Sequence, residues 1–163
     1  MGQFEDEAAL RRLASLYCTA VDDGDADAMA GLFIPQGSLI VYPAGTSWGA
    51  TPLRRWDQKQ GFQKLIETLR QSYSKWVHFL GNHWADVRDG EAVGEAYLFA
   101  CHLKAQSADQ VEETAIIRYR DFYVRIPEGW RFRERHAFRQ WTTSRPIGQS
   151  PHLMDVALSS KPK

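Results

Sequence analysis

The chain changes character near residue 75, and this change limits the folds open to it. Before that point, apolar residues recur at the spacing of amphipathic helices. After it come four long segments rich in aromatic and β-branched residues, separated by short stretches that carry Gly, Pro, Asp or Ser. The four segments are 75–87, 92–105, 111–126 and 130–143. Helices followed by a run of hairpin-connected strands predict an α+β fold with an antiparallel sheet.

Before residue 75 the sequence predicts three helices and one short strand. Gly24 provides a C-terminal stop for the first helix, and Asp25 can cap the second. Pro35 and Gly37 then interrupt the helical pattern. The predicted elements are a helix over 3–23, a helix over 25–33, a strand over 39–42, a loop or hairpin over 43–52 and a helix over 56–74.

The strand-like segments are apolar on both faces, as Tyr97 and Phe99 alternate with Ala96 and Leu98. The helices can cover only one face, so we expect the other to form a subunit contact in a homodimer or homotrimer. A pocket would lie between the helices and the concave side of the sheet. Residues 1–143 are predicted to form a single domain, and residues 144–163, which hold three prolines, an irregular tail.

The charge balance argues against nucleic acid as a partner. Lys and Arg together number 20, as do Asp and Glu, so the formal net charge is zero, whereas nucleic-acid binding needs a clustered basic surface. The nearest approach to one is Arg131, Arg133 and Arg135, which alternate with Phe132 and Glu134. This alternation favours a solvated strand face.

Several other classes of protein are also disfavoured. The longest apolar stretch, 96–101, is far too short for a membrane span or a signal core. Cys18 and Cys101 are too few for a disulfide scaffold and are expected to be reduced structural thiols. His83 and His136 lack the spacing of a metal site. We therefore expect a cytoplasmic protein without metal or cofactor that binds neither membrane nor nucleic acid.

Asp22 and His78 are the residues most suggestive of chemistry. Asp22 ends the first helix, where the helix dipole disfavours a carboxylate by about 0.3–1 kcal/mol. A histidine partner would remove this cost, and His78 lies near the start of the first long strand. Such a pair can abstract protons near neutral pH. The alternatives are an ordinary turn residue for Asp22 and a buried histidine bonded to the backbone for His78.

Three sequence patterns, in their order and spacing, carry a resemblance to a known family. The first runs from Leu16 to Asp25, the second from Val77 to Asn82, and the third from Gly129 to Arg139. Together they make residues 5–142 resemble the SnoaL-like group of the nuclear transport factor two-like superfamily. The resemblance implies a cone-shaped barrel, in which three N-terminal helices pack on a curved antiparallel sheet.

The family resemblance also implies a set of catalytic residues. Scytalone dehydratase, bile-acid 7α-dehydratase and hexachlorocyclohexane dehydrochlorinase belong to this group and are metal-free lyases. By resemblance, His78 would be the general base and Asp22 would orient it. Tyr17 would donate to a substrate oxygen, although a core tyrosine is the alternative. Arg139 would bind an oxyanion or a carboxylate; because it shares the parity of Arg131, it points inward only if that arginine does or a bulge intervenes.

Further positions are predicted to contact the substrate. His102 and Tyr42 lie near pocket residues of scytalone dehydratase, and Trp48 and Trp84 could stack on a ligand or simply pack. Ala100 stands where the bile-acid enzyme has a carboxylate, so the leaving group would need another partner, such as His102.

Two functions remain open at this point. The first is a cofactor-independent lyase of the dehydratase type, or an isomerase or cyclase, acting on a hydrophobic cyclic small molecule with the Asp22–His78 pair as its base. The second is a protein without catalysis, which either binds a small molecule or serves as the structural small subunit of an aromatic-ring dioxygenase. The fold alone does not decide between them.

Overall fold

The described part of the chain, residues 2–104 and 110–147 of a computed structural model, forms three helices and six strands. The elements are α1 (Gln3–Asp22), α2 (Ala26–Gly31), β1 (Phe33–Tyr42), β2 (Arg54–Asp57), α3 (Gln58–Ser72), β3 (Tyr73–Arg88), β4 (Glu91–Lys104), β5 (Val111–Ile126) and β6 (Gly129–Pro146). Helices packed on one sheet form an α+β fold, which confirms the predicted fold class. None of these helices combines the length and apolarity that a membrane crossing requires.

The turn between α1 and α2 fixes where the first helix ends. Gly24 has a φ of +65°, a conformation that glycine adopts without strain. The carboxylate of Asp25 then accepts hydrogen bonds from the backbone N–H groups of Asp27 and Ala28 at 3.0 and 2.9 Å. These contacts satisfy two of the free donors at the start of α2. They leave Asp22 as the last residue of α1.

The six strands form one open, mixed sheet in the order β2-β1-β6-β5-β4-β3. Five strand pairings build it, and β1 with β6 is the parallel one among them. The prediction of a sheet that is antiparallel throughout is therefore wrong at this one pairing. The face that packs on α1 and α3 is called the inner face here, and the opposite face the outer face.

Several boundaries in the N-terminal half differ from prediction. The second helix ends at Gly31, and β1 begins at Phe33 rather than at residue 39. Pro35 can lie in this strand because the register shifts between Phe33 and Ser38, so that no ladder hydrogen bond requires its missing N–H. The short strand β2 was not predicted, since four residues give too little alternation to detect.

The last strand extends beyond its predicted end. Backbone pairing with β5 continues to Val111 and Pro146, and Arg145 forms an ion pair with Glu112 at 3.1 Å. Residues 144–146, which were assigned to the irregular tail, are therefore strand. From residue 148 onward, that predicted tail lies outside the described residues.

A β-bulge in β6 changes the direction of its arginines. Phe122 pairs with Glu134 and Tyr123 with Phe132, so Arg133 is the extra residue between them. The bulge reverses the alternation, and the side chain of Arg135 is fully buried on the inner face. The prediction of a solvated face is wrong for Arg135, because an alternation argument assumes a regular strand.

Candidate functional site

A cavity of about 280 Å³ lies between the inner face of the sheet and helices α1 and α3. Most of its wall is apolar. The polar groups among its lining residues are contributed by α1, α3 and several strands, and they can offer a bound molecule hydrogen bonds, positive charge and a proton acceptor. They are Tyr17, Arg54, Thr68, His78, His102, Tyr119 and Arg139.

Asp22 and His78 are in direct contact at the wall of this cavity. The Nδ1 atom of His78 lies 2.6 Å from Oδ1 of Asp22, and the backbone N–H of His78 donates to Oδ2 at 3.1 Å. A carboxylate that accepts from Nδ1–H fixes the tautomer of a neutral imidazole and leaves Nε2 as a proton acceptor. Because His78 lines the cavity, this pair can present a base to a bound molecule.

His102 is the second histidine of the cavity and is only 8% exposed. Its ring stacks on Tyr73 at 4.4 Å and lies 5.5 Å from the ring of His78. Neither of its ring nitrogens has a hydrogen-bond partner among the described residues. Burial, together with the neighbouring charge of His78, lowers the pKa of His102 to about 4. At neutral pH it therefore offers one N–H donor and one free acceptor to a ligand.

Two tyrosines line the cavity in front of a buried cation. The rings of Tyr17 and Tyr119 lie 4.3 and 4.0 Å from the guanidinium carbon of Arg135. Burial raises the pKa of Tyr17 well above its ordinary value and that of Tyr119 to about 12. Both hydroxyls are therefore protonated and can serve as hydrogen-bond donors. Tyr119 was not predicted as a site residue. It lies two positions after Ile117 in the same strand, and this spacing places both side chains on the same face of the sheet.

Arg139 and Arg54 bring positive charge to the cavity. The bulge at Arg133 places Arg139 on the inner face together with Ala137. An intervening bulge was one of the conditions under which Arg139 was predicted to point inward. Arg54 was not predicted as a site residue, because its strand, β2, was itself not predicted. Neither arginine forms an ion pair with any residue in the described ranges.

The structure places three of the predicted substrate contacts away from this cavity. Leu39 and Val41 of β1 line it, so the alternation of the strand directs Tyr42 to the outer face. There the Tyr42 hydroxyl bonds to Nδ1 of His136 at 2.9 Å, and Trp48 packs 4.9 Å from the same histidine ring. Trp84 is exposed and lines a separate depression beside the N-terminal part of α1.

No group of three or more His, Cys, Asp or Glu side chains is arranged to hold a metal ion within residues 2–104 and 110–147.

Comparison with known structures shows where this fold occurs. A hexachlorocyclohexane dehydrochlorinase (type 3) from Novosphingobium barchaimii is 14% identical over 90% of this chain and 92% of its own, with a TM-score of 0.68. A candidate scytalone dehydratase from Novosphingobium aromaticivorans is 19% identical over 88% of this chain and 93% of its own, with a TM-score of 0.69. A candidate aromatic ring hydroxylase from the same species is 22% identical, covers 89% and 96% of the two chains and has a TM-score of 0.71.

At these identities the likeness establishes a shared fold. No curated protein matches the sequence significantly. The sequence profile of the SnoaL-like domain, in contrast, matches residues 2–136, which includes α1, the Asp22–His78 contact and most of the sheet. The chain therefore belongs to the SnoaL-like domain family.

Proposed function

We propose that this protein is a cofactor-independent lyase of the dehydratase type, or an isomerase or cyclase, that acts on a hydrophobic cyclic small molecule. The observation that carries the proposal is the 2.6 Å hydrogen bond between Asp22 and a histidine that lines an otherwise mostly apolar cavity. Carboxylate-bound histidine is a suitable base for removing a proton from carbon next to an activating group. Proteins of this fold named for a dehydration and a dehydrochlorination, both eliminations, support the same reaction class.

The proposed elimination begins at His78. Its Nε2 atom takes a proton from a carbon beside a carbonyl, and the electron pair of that C–H bond forms the new double bond. The resulting imidazolium is stabilised by Asp22, as a buried carboxylate does for a catalytic histidine. The hydroxyls of Tyr17 and Tyr119 donate to the carbonyl oxygen, where negative charge develops.

The leaving group departs with the electron pair of its bond to carbon. His102 is neutral near pH 7, since its pKa is lowered to about 4, and so it assists as a hydrogen-bond donor rather than as a strong acid. In an isomerisation the same proton would return to a different carbon, and no group would leave. Both outcomes use the same residues, so the substrate decides between them.

Hydrogen exchange at carbon tests the proposal before the substrate is known. Cyclic hydroxyketones would be incubated with the protein in deuterium oxide, and deuterium uptake and product formation followed by NMR and mass spectrometry. His78→Gln should lower the rate by at least about 100-fold, the lower end of general acid–base contributions. His136→Gln, which changes a histidine on the outer face, is the matched control. Unchanged exchange in a folded His78→Gln protein would refute the mechanism.

We further propose that the protein works as a homodimer or homotrimer in the cytoplasm. The support for assembly is a row of side chains on the outer face, one from each of four adjacent strands: Phe79, Phe99, Ile116 and Trp141. Phe79, Phe99 and Trp141 are 61%, 50% and 58% exposed, and a contiguous exposed apolar patch of this kind marks an interaction site.

A further inference from the structure

We propose that Tyr73 is a positioning residue of the cavity: its hydroxyl occupies the carboxylate of Glu113 and so keeps the imidazole of His102 free to meet the bound molecule. The inference rests on the proposed function for calling that molecule a substrate and His78 its base. It gives a role to two residues that are not among the described side chains lining the cavity, Tyr73 and Glu113.

The first observation is that a carboxylate stands opposite His102 in the sheet and yet does not bind it. His102 of β4 and Glu113 of β5 are direct partners in the antiparallel register. The side chains of such a pair project from the same face, with their Cβ atoms about 4.5–5.5 Å apart. An imidazole and a carboxylate at this spacing are within reach of a hydrogen bond. Neither ring nitrogen of His102, however, has a partner among the described residues.

The second observation is that the carboxylate of Glu113 is already engaged. The hydroxyl of Tyr73 donates to its Oε1 atom at 2.9 Å, and Nζ of Lys104 lies 3.4 Å from its Oε2 atom. Burial and the bond to Glu113 raise the pKa of Tyr73 to about 12, so this hydroxyl is a donor at neutral pH. The Lys104 side chain is 45% exposed, and ion pairs of exposed groups are weak. Tyr73 is therefore the main partner of the carboxylate.

The third observation is that the same tyrosine packs directly on the histidine. The rings of Tyr73 and His102 are stacked, with their centroids 4.4 Å apart and their planes inclined by 19°. The ring of Tyr73 thus covers one face of the imidazole, while its hydroxyl binds the carboxylate opposite that histidine. One side chain both orients His102 and engages the acid that would otherwise bind it.

The charges around His102 come from several elements and act in both directions. Burial, followed by the charges of His78 and Arg139, lowers the pKa of His102, whereas Glu113 and Asp22 raise it, and the balance leaves it at about 4. A hydrogen bond from the imidazole to Glu113 would favour the charged form of the ring. Occupation of Glu113 by Tyr73 therefore helps to keep His102 neutral.

A neutral His102 favours the proposed reaction in two ways. Its ring lies 5.5 Å from that of His78, which becomes a cation when it takes up the substrate proton. A second cation at that distance would oppose this proton transfer, because like charges repel. A neutral imidazole also keeps one nitrogen as an acceptor, whereas a protonated ring has none.

An NMR titration of His102 tests this inference without any substrate. The Cε1–H signal of His102, identified by its absence from His102→Gln, would be followed from about pH 5 to about pH 8. In the parent protein the ring should stay neutral throughout. Tyr73→Phe keeps the stacked ring but frees Glu113, and the pKa of His102 should rise by about two pH units, into this range. Tyr97→Phe, which removes a hydroxyl from β4 on the outer face, is the matched control and should behave like the parent.

A double variant separates the role of the hydroxyl from a packing effect. In Tyr73→Phe, Glu113→Gln, no carboxylate is left to bind His102, so the ring should again stay neutral. A ring that stays neutral in Tyr73→Phe, or a raised pKa that persists in the double variant, would overturn the inference. The proposed function is tested separately: if His78→Gln keeps full deuterium exchange while Tyr73→Phe shifts His102 as expected, the catalytic proposal fails and the positioning role stands.

Discussion

Asp22 shows how one side chain can set both the chemistry and the geometry of a site. One of its oxygens accepts from the ring of His78, and the other accepts from the backbone of the same residue. The first bond selects the tautomer that leaves Nε2 free, and the second anchors β3 to the end of α1. The partner also removes the cost of placing a carboxylate at a helix C-terminus.

Replacing this carboxylate by its amide tests the role of its negative charge. In Asp22→Asn, the amide oxygen can still accept from the backbone, but the charge that stabilises the imidazolium is lost. We expect the rate of carbon proton exchange to fall by about 100-fold or more. Asp23→Asn, at the neighbouring position, is the control. Equal rates in the two variants would show that Asp22 does not act on His78 during catalysis.

The lowered pKa of His102 predicts how the stability of the protein depends on pH. Its pKa is about 4 in the folded protein and 6.5 when unperturbed, so the unfolded chain binds a proton more readily. Its contribution to stability is present above pH 6.5 and is lost as the pH falls from 6.5 to 4. The loss should reach about 3 kcal/mol for a shift of this size.

Urea unfolding at about pH 7 and about pH 4.5 measures this loss in the parent protein and in His102→Gln. The variant should show the smaller difference between the two pH values. His83, whose pKa is also lowered to about 4 by burial, and Asp121, whose pKa is raised to about 6, titrate in both proteins. Their effects cancel when the change in unfolding free energy between the two pH values in the variant is subtracted from the same change in the parent protein. Identical differences would mean that His102 is not held neutral by its surroundings.

At the scale of secondary structure, the bulge in β6 decides which side chains reach the cavity. It buries Arg135 between the rings of Tyr17 and Tyr119 and turns Arg139 inward. The buried guanidinium faces Asp121 of β5 with Nε and Oδ1 3.3 Å apart, so the two strands share a charge pair beneath the tyrosines. A regular strand of the same sequence would have put Arg135 into solvent.

Removing one member of this pair should be far more harmful than removing both. Arg135→Met leaves Asp121 buried without its partner and should destabilise the protein by about 3–5 kcal/mol at about pH 8. The loss should be smaller at about pH 5, because Asp121 then takes up a proton. The double variant Arg135→Met, Asp121→Asn should recover much of the stability at the higher pH. Additive losses in a double-mutant cycle would contradict the pairing.

The arrangement of helices and strands also explains which features could be predicted from the sequence and which could not. Long helices and strands were predicted because their apolar periodicity extends over many residues. The start of β1 was missed because Pro35 and Gly37 ordinarily break a strand, and here a register shift accommodates them. The resemblance carried by order and spacing predicted Asp22, His78, His102 and Arg139 as site residues, and they lie at or beside the cavity. Arg54 and Tyr119 were not, because their place depends on which strands are neighbours, and Tyr42 was misplaced because its face depends on strand register.

At the scale of the whole molecule, the outer face of the sheet carries a row of exposed apolar side chains. Its exposed row of Phe79, Phe99 and Trp141 crosses the sheet, with Ile116 buried among them. A patch of this kind in water favours association. A second copy of the chain covers it in the proposed assembly, while the cavity lies on the opposite face and stays accessible.

Light scattering after size exclusion tests the assembly. The parent protein should have two or three times the 18.6 kDa mass of one chain. Phe99→Glu, which puts a charge in the centre of the row, should run as a monomer, and Lys64→Glu on the exposed side of α3 should not change the mass. A monomeric parent protein, or one that co-purifies with a larger iron–sulfur protein, would instead favour the structural-subunit alternative.

The double attachment of Asp22 has an evolutionary consequence. Since the bond to the backbone N–H of position 78 needs no particular side chain there, the architecture of the cavity does not depend on histidine. A descendant that exchanges histidine for glutamine, a change of one nucleotide, would retain the shape of the cavity while losing the proposed base. If the proposed mechanism holds, a single substitution thus separates a catalyst from a protein that only binds the same molecule.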